Sequence, residues 1–183
     1  MSSVKAAFLD RDGVINIDHA YVHAPEEFQF IDGVFEGCRL LQKAGYLLII
    51  ATNQSGIGRG YYSETDFEKL CVWMKKRFAD EGVLISDIFF CPHHPEKALG
   101  NYLQDCNCRK PKPGMLLAAQ RKWDIDMKAS LMVGDKQGDM QAALAAQVGR
   151  RILVGKDGLA CPQPVAECTD VARNLLEAAK LID

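Results

Sequence analysis

Short, continuous apolar runs alternate with amphipathic stretches along this chain. Ala6–Leu9, Leu47–Ala51, Ile85–Cys91, Ser130–Val133 and Arg151–Leu153 read as strands, the last of them the final strand. Leu47–Ala51 is apolar throughout rather than at every second residue, the pattern of a central strand buried on both faces of a parallel sheet. Between them, Gly33–Ala44 reads as a helix with Val34, Cys38 and Leu41 at helical spacing and Gly45 as its stop. Ser63 opens another, with Asp66 three residues on in a near capping box and Phe67, Leu70, Cys71, Met74 and Phe78 on one face. Met115–Trp123 and Asp139–Ala146 add two helices, and Val171–Leu181 closes the chain as a third. Alternating strands and helices predict a doubly wound, Rossmann-like parallel α/β sheet with helices on both faces and right-handed crossovers. The stretch 92–113, rich in Pro, Cys, Asn and Lys, interrupts the rhythm. A loop of that length inside a compact domain is functional or stapled. With no repeat, linker or insert large enough for a separate cap, residues 1–183 are expected to form a single domain whose post-strand loops shape the pocket.

Composition narrows the partners. Hydrophobic residues make up 48% and charged residues 25% of 183 positions, ordinary for a globular protein. The net charge of −2 and the lack of a long basic run argue against nucleic acid. The longest apolar run, Tyr46 to Ala51, is far too short to span a bilayer, so no membrane partner is expected. No signal-peptide pattern opens the chain, which makes the cytoplasm the expected location. The absence of a heptad or a surplus apolar stripe leads us to expect a monomer. Seven cysteines are many, and three of them, Cys91, Cys106 and Cys108, crowd into the long loop with His93 and His94. That clustering reads as metal binding, whereas Cys38, Cys71, Cys161 and Cys168 are scattered and need only be small, mostly buried residues.

The candidate chemistry lies where strands end. Asp10 and Asp12 follow the first strand, and Thr52-Asn53-Gln54-Ser55-Gly56 follows the second. Arg109, Lys110 and Lys112 lie in the loop after the third, and Gly134-Asp135-Lys136-Gln137-Gly138-Asp139 follows the fourth. Parallel strands bring all of these to one edge, where open α/β sheets bind ligands. Each segment alone is equally a turn, a strand-to-loop junction or a helix cap. Together they supply a carboxylate to attack, a second to move protons, hydroxyl and amide donors, and a cation. A carboxylate and a phosphate dianion repel by several kcal/mol at contact, about the Coulomb energy at intermediate dielectric. A lysine and a divalent cation offset that repulsion, and hard oxygen ligands suit Mg²⁺.

Phe8-Leu9-Asp10-Arg11-Asp12-Gly13, Ala51-Thr52-Asn53, a loop lysine and Gly134-Asp135-Lys136-Gln137-Gly138-Asp139 resemble, in order, the four motifs of the haloacid dehalogenase-like phosphatases. The resemblance implies Asp10 as nucleophile, forming an aspartyl-phosphate, and Asp12 as the acid and base. It implies Thr52 as a donor to the phosphoryl group and Lys110 as its neutralising cation, with Lys112 an open alternative. Asp10, the Asp12 backbone carbonyl and Asp135 would hold Mg²⁺.

The cysteine loop sharpens this. Cys91-Pro92-His93-His94 and Cys106-Asn107-Cys108 offer three thiolates and an imidazole, a tetrahedral Zn²⁺ set of the closed, structural kind. His94 competes with His93, the spacing is tighter than the usual C-x₂-C, and free thiols in a loop are the plain alternative. A Zn²⁺ there would fix the backbone that presents Arg109 and Lys110. C-x-H…C-x-C followed by Arg-Lys-Pro is similar to the heptose bisphosphate phosphatase and histidinol-phosphate phosphatase group. This implies Cys91, His93, Cys106 and Cys108 as Zn²⁺ ligands. It also implies Asp18, His19, Ala20, Tyr21, Thr52, Asn53, Gln54, Ser55, Arg109, Lys110 and Lys136 as substrate contacts. The implied substrate is a small phosphorylated sugar of lipopolysaccharide synthesis, D-glycero-D-manno-heptose 1,7-bisphosphate, cleaved at the anomeric phosphate by preference or at C7. Histidinol phosphate is the runner-up, and a non-catalytic zinc-stabilised phosphate-binding module the reading from another class. The phosphate that stays needs a second anion site, for which Arg109, Arg59 and an amide nest at Gly56–Gly60 are candidates. His19 and Tyr21 are expected either to contact sugar hydroxyls or to be plain surface residues.

Overall fold

The computed structural model describes residues 3–182. Six parallel strands form one sheet in the order β3-β2-β1-β4-β5-β6: β1 Lys5–Leu9, β2 Tyr46–Asn53, β3 Ile85–Cys91, β4 Leu131–Gly134, β5 Arg150–Val154 and β6 Asp170–Ala172. The chain winds outward from β1 in one direction through β2 and β3, then returns to β1's other side with β4. Leu9 pairs with Ile50 of β2 on one side and with Val133 of β4 on the other. The order therefore reverses between β1 and β4, and the crevice beyond their C-terminal ends is where such sheets bind ligands.

Alternation along the central strands sorts the two cores. Ala7 and Leu9, with Leu48, Ile50 and Val133, face a layer built on α1 (Val34–Lys43), α3 (Glu64–Asp80) and α6 (Leu175–Lys180). Ala6 and Phe8, with Ile49, Ala51 and Met132, face α4 (Gly114–Trp123) and α5 (Gln137–Ala145). Burial on both sides is why these strands read as unbroken apolar runs. A single turn, α2 (Ser55–Gly58), follows β2. The Ser63 capping box at the start of α3 is formed, with Ser63 Oγ accepting from the Asp66 amide at 3.0 Å and Asp66 Oδ2 accepting from the Ser63 amide at 3.0 Å. Such a cap contributes about 1 kcal/mol.

The C-terminal segment differs from its expected single helix over Val171–Leu181. Val171 and Ala172 instead pair with Leu153 and Val154, making a sixth strand beyond β5. Asn174 then starts α6 by accepting the Glu177 amide on its side chain at 3.0 Å. An asparagine that can cap is a better boundary than an interior helical residue, so the segment divides there. Helix α5 begins at Gln137, two residues before the expected Asp139, which places the Asp139 carboxylate in the first turn, accepting the Lys136 amide at 3.0 Å. Among the described residues no inserted segment forms a separate cap, and no helix is long and apolar enough to cross a membrane.

Candidate active site

Asp10 stands one residue beyond β1, its amide bonded to the Val133 carbonyl at 3.0 Å. Its Oδ1 accepts from the Arg11 amide and from Lys110 Nζ, both at 2.9 Å. Lys110 Nζ also reaches the Ala51 carbonyl at 2.7 Å and Asp139 Oδ1 at 2.7 Å. An ammonium has three donors, and all three are used, so its position is fixed. Burial alone pulls the Lys110 pKa down, but Asp10 and Asp139 together carry it above the ordinary lysine value, so it stays charged. Of the two candidate lysines, Lys110 is the one that meets the carboxylates, while Lys112 pairs with Asp105 at 2.6 Å on the surface. Asn53 grips the Lys110 peptide from both sides, its Nδ2 donating to the Lys110 carbonyl and its Oδ1 accepting the Lys110 amide, each at 3.1 Å.

The carboxylates of Asp10, Asp135 and Asp139 converge within 4.8 Å of one another. Asp139 was absent from the expected site residues, although it stands in the fourth motif. Its signal was a second acid in the first turn of a helix, which also reads as an ordinary cap. Both oxygens of Asp135 are buried without a hydrogen-bond partner. Buried carboxylate oxygens rarely go unpaired, and a bound cation would satisfy both. Burial first, then Asp10 and Asp139, push Asp135 up to about 8. Burial and Asp139 likewise raise Asp10 against the opposing pull of Lys110. A divalent cation of the Mg²⁺ type fits this all-oxygen set. Gly13 makes room for it: its φ of +87° is a glycine conformation, and a Cβ there would land on Asp135 Oδ2.

Asp12 faces the other way. Its Oδ1 accepts from Arg11 Nη2 at 2.7 Å and Asn16 Nδ2 at 3.0 Å, and its Oδ2 accepts only Gln54 Nε2 at 3.2 Å. Its side chain is thus outside the carboxylate cluster, which leaves only its backbone carbonyl for the metal. A carboxylate oxygen takes two hydrogen bonds, so Oδ2 keeps capacity for a proton.

A cavity of about 430 Å³ opens over these groups, lined by Asp12, Asp18, Ala20, Tyr21, Asn53, Gln54, Ser55, Arg109, Lys110 and Lys136 among others. Thr52 is 1% exposed beneath it. His19 is elsewhere: it lies 3.4 Å from Gln29 and lines a neighbouring hollow with Glu26 and Glu27. Ala20 and Tyr21 both take positive φ, 61° and 58°, which turns the loop after β1 over the cavity. Arg59 lines a separate hollow with Glu96 and Lys97, its guanidinium 5.7 Å from the ring centre of Tyr21, which does line the cavity. The expected amide nest is not formed. The amides of Ile57, Arg59, Gly60 and Tyr61 all donate to backbone carbonyls of the α2 turn, because the glycines close a helical turn instead of opening a concavity.

In the long loop, the sulfurs of Cys91 and Cys108 lie 2.9 Å apart, Cys91 and Cys106 3.4 Å, and Cys106 and Cys108 3.3 Å. These separations exceed a disulfide bond. His93 Nδ1 joins at 3.4 Å from Cys108 and 3.7 Å from Cys91. His94 turns away, its Nδ1 accepting the amides of Glu96 and Lys97. Burial raises the Cys91 thiol, whereas Cys106, despite burial, is brought down to about 6 by hydrogen bonds from Cys108 and the Arg109 amide. Four soft donors closing on one point fit Zn²⁺. The cluster also touches the cavity wall, since the Cys91 carbonyl accepts the Gln54 amide at 2.8 Å.

Comparison with known proteins agrees with this geometry. Residues 107–178 match the HAD-hydrolase-like family. A D-glycero-β-D-manno-heptose-1,7-bisphosphate 7-phosphatase of Vibrio cholerae is 58% identical over 149 residues, covering 81% of this chain and 80% of that protein. The protein of the same name from Escherichia coli K12 is 55% identical over 152 residues, 83% of this chain and 80% of its own. Among solved structures, a D,D-heptose 1,7-bisphosphate phosphatase from B. bronchiseptica, complexed with magnesium and phosphate, superposes with a TM-score of 0.81 at 33% identity over 97% of both chains. With its carboxylates, lysine and threonine at the reversal point of the sheet, the chain belongs to the haloacid dehalogenase-like phosphatases, among relatives of the heptose 1,7-bisphosphate phosphatases.

Proposed function

We propose that this chain hydrolyses D-glycero-β-D-manno-heptose 1,7-bisphosphate at C7, releasing inorganic phosphate and leaving the 1-phosphate. The reaction rests on one observation: Asp10 and the unpartnered Asp135 gather with Asp139, Lys110 holds Asp10, and Lys110, Asp139 and Asp12 line the cavity. The substrate rests on the relatives, which are named 7-phosphatases. Their name moves the expected cleavage from the anomeric phosphate to C7.

In this reading the Asp10 carboxylate attacks phosphorus, the bond from phosphorus to the C7 oxygen breaks, and Asp12 Oδ2 gives that oxygen its proton. Water then attacks the aspartyl-phosphate, Asp12 takes a proton back, and Asp10 is restored. Lys110 holds the Asp10 carboxylate in place and offsets the charge that gathers between it and the phosphoryl oxygens. Thr52 donates to one of those oxygens. Asp10, the Asp12 carbonyl and Asp135 would hold Mg²⁺, which supplies charge neutralisation for the crowded oxygens. Lys136 and Arg109 provide cations for the remaining phosphate, and Asp18, Tyr21 and Ser55 face the sugar. Asn53 serves by clamping Lys110, and His19 has no place in the cleft. The test is phosphate release from heptose 1,7-bisphosphate set against histidinol phosphate. A higher kcat/KM for the sugar is expected, and faster turnover of histidinol phosphate would overturn the assignment.

Cys91, His93, Cys106 and Cys108 bind Zn²⁺ in this reading, which requires reduced thiols and suits the cytoplasm. Cys108→Ser is expected to lower the melting temperature by about 5–10 °C, the equivalent of a few kcal/mol in a domain of this size, and to reduce activity through Lys110. An unchanged melt with full activity would remove the staple.

Magnesium dependence should carry a pH signature. The Asp135 pKa of about 8 in the fold stands above its ordinary value of 3.8, so the metal-free fold binds a proton that the unfolded chain has lost. This group therefore subtracts stability as pH rises through that window. Mg²⁺ displaces the proton, so its stabilisation should grow with pH and level off above about 8. Melting curves with and without Mg²⁺ read this directly, and an equal Mg²⁺ increment at both ends of the window would contradict it.

A further inference from the structure

Gln54 lines the cavity, yet its side-chain nitrogen has no hydrogen left to donate to a substrate. One Nε2 hydrogen goes to Asp12 Oδ2 at 3.2 Å and the other to Thr52 Oγ1 at 2.8 Å, while Oε1 accepts the Tyr62 hydroxyl at 2.5 Å. An amide has two donors on nitrogen, so both are committed. The Asp12 carboxylate, which only accepts when ionised, fixes which way round the amide sits: nitrogen faces Asp12 and Thr52, and oxygen is left to accept the Tyr62 hydroxyl. Tyr62 is itself immobilised. It is 6% exposed, its ring stacks on His23 at 4.9 Å, and it fills the space that a Cβ on Gly56 would take. Burial raises its pKa, so the phenol remains a donor.

We infer that Tyr62 and Gln54 are positioning residues that aim both the proton-transferring oxygen of Asp12 and the hydroxyl of Thr52. Because Gln54 donates to Thr52 Oγ1, the threonine's own hydrogen is left for a phosphoryl oxygen; its nearest protein acceptor, the Asn53 carbonyl, is a long 3.4 Å away. Because Gln54 is the only donor on Asp12 Oδ2 among the described residues, it sets where that oxygen points without filling its second site. One amide thus registers the donor for the transferring group against the acid for the leaving group. The glutamine is a strut inside the site and makes no side-chain contact with the sugar.

The inference rests on Asp12 being the general acid, and the experiment separates the two. The readout is the ratio of kcat/KM for heptose 1,7-bisphosphate to that for 4-nitrophenyl phosphate, whose phenolate departs without a proton. Loss of the acid should lower this ratio in Asp12→Asn by about 100-fold or more. In Tyr62→Phe and Gln54→Met the ratio should fall about tenfold, a fraction of what misplacing a reacting group by an ångström can cost. A merely structural defect lowers both substrates alike and leaves the ratio unchanged. If Asp12→Asn is selective and neither Tyr62→Phe nor Gln54→Met is, the positioning role is refuted and the acid stands. If Asp12→Asn is itself unselective, the acid assignment falls and the inference with it. Tyr62→Phe removes one oxygen only, so it decides the matter should Gln54→Met fail to fold.

Discussion

Asp10→Asn should remove turnover, by on the order of 10⁴-fold or more in kcat, the scale seen when a covalent nucleophile is lost. An amide keeps the shape of the carboxyl and can still accept from the Arg11 amide and Lys110. It lacks the negative charge and lone-pair basicity to displace an alkoxide from phosphorus. The fold should not suffer. Asp10 shares a buried pocket with Asp135 and Asp139, and both carboxylates sit within 4.8 Å of it. Removing one of three crowded acids relieves repulsion, while Lys110 retains Asp139 at 2.7 Å. The melting temperature without Mg²⁺ should therefore equal or exceed that of the unaltered chain. Phosphate release and a thermal melt on the same preparation check both halves. Activity surviving above a hundredth of the starting value would reject the nucleophile, and a lowered melting temperature would contradict the relief of repulsion.

Lys110→Met should cost less activity than Asp10→Asn, with the opposite effect on the fold. Methionine fills much of the lysine's volume but leaves Asp10, Asp139 and the Ala51 carbonyl without their shared donor. Breaking a buried ion pair by removing one partner costs about 3–5 kcal/mol. Activity should fall by roughly 10³-fold, the scale of losing one preorganised electrostatic group. Saturating Mg²⁺ should restore part of the stability, because a cation among the carboxylates replaces some of the missing charge, and little of the activity. Denaturant melts with and without Mg²⁺, beside kcat, give the comparison. Full stability without metal would show that the three acids are already neutral and that the lysine does not hold them.

The chemistry was more legible in the sequence than its wiring. Asp10, Asp12, Thr52 and Asp135 declared themselves because each follows an apolar run, and parallel strands bring their C-terminal ends to one edge. The cysteine cluster announced itself by composition. Other assignments needed three dimensions. Lys110 and Lys112 share a five-residue stretch, and only the fold shows that one points into the carboxylates while the other meets Asp105. Asn53 and Gln54 read as substrate donors because amides at a strand end can do that work, yet both Gln54 hydrogens go to Asp12 and Thr52, and Asn53 spends one hydrogen and its oxygen on Lys110. The glycines at 56, 58 and 60 suggested an anion nest, but a helical turn uses the same residues. The C-terminal strand was hidden because Val171 and Ala172 suit a helix and a strand equally. Its pairing with Leu153 and Val154 decides the matter, and that contact is not local.

Turnover by this mechanism requires a covalent bond between Asp10 and phosphorus. Borohydride quenching reduces an acyl phosphate, so peptide mapping after quenching the protein with heptose 1,7-bisphosphate and Mg²⁺ locates the phosphorylated carboxylate. The peptide holding Asp10 should show aspartate converted to homoserine, only while substrate is being consumed. Conversion at another carboxylate, or turnover with no conversion, would contradict the mechanism.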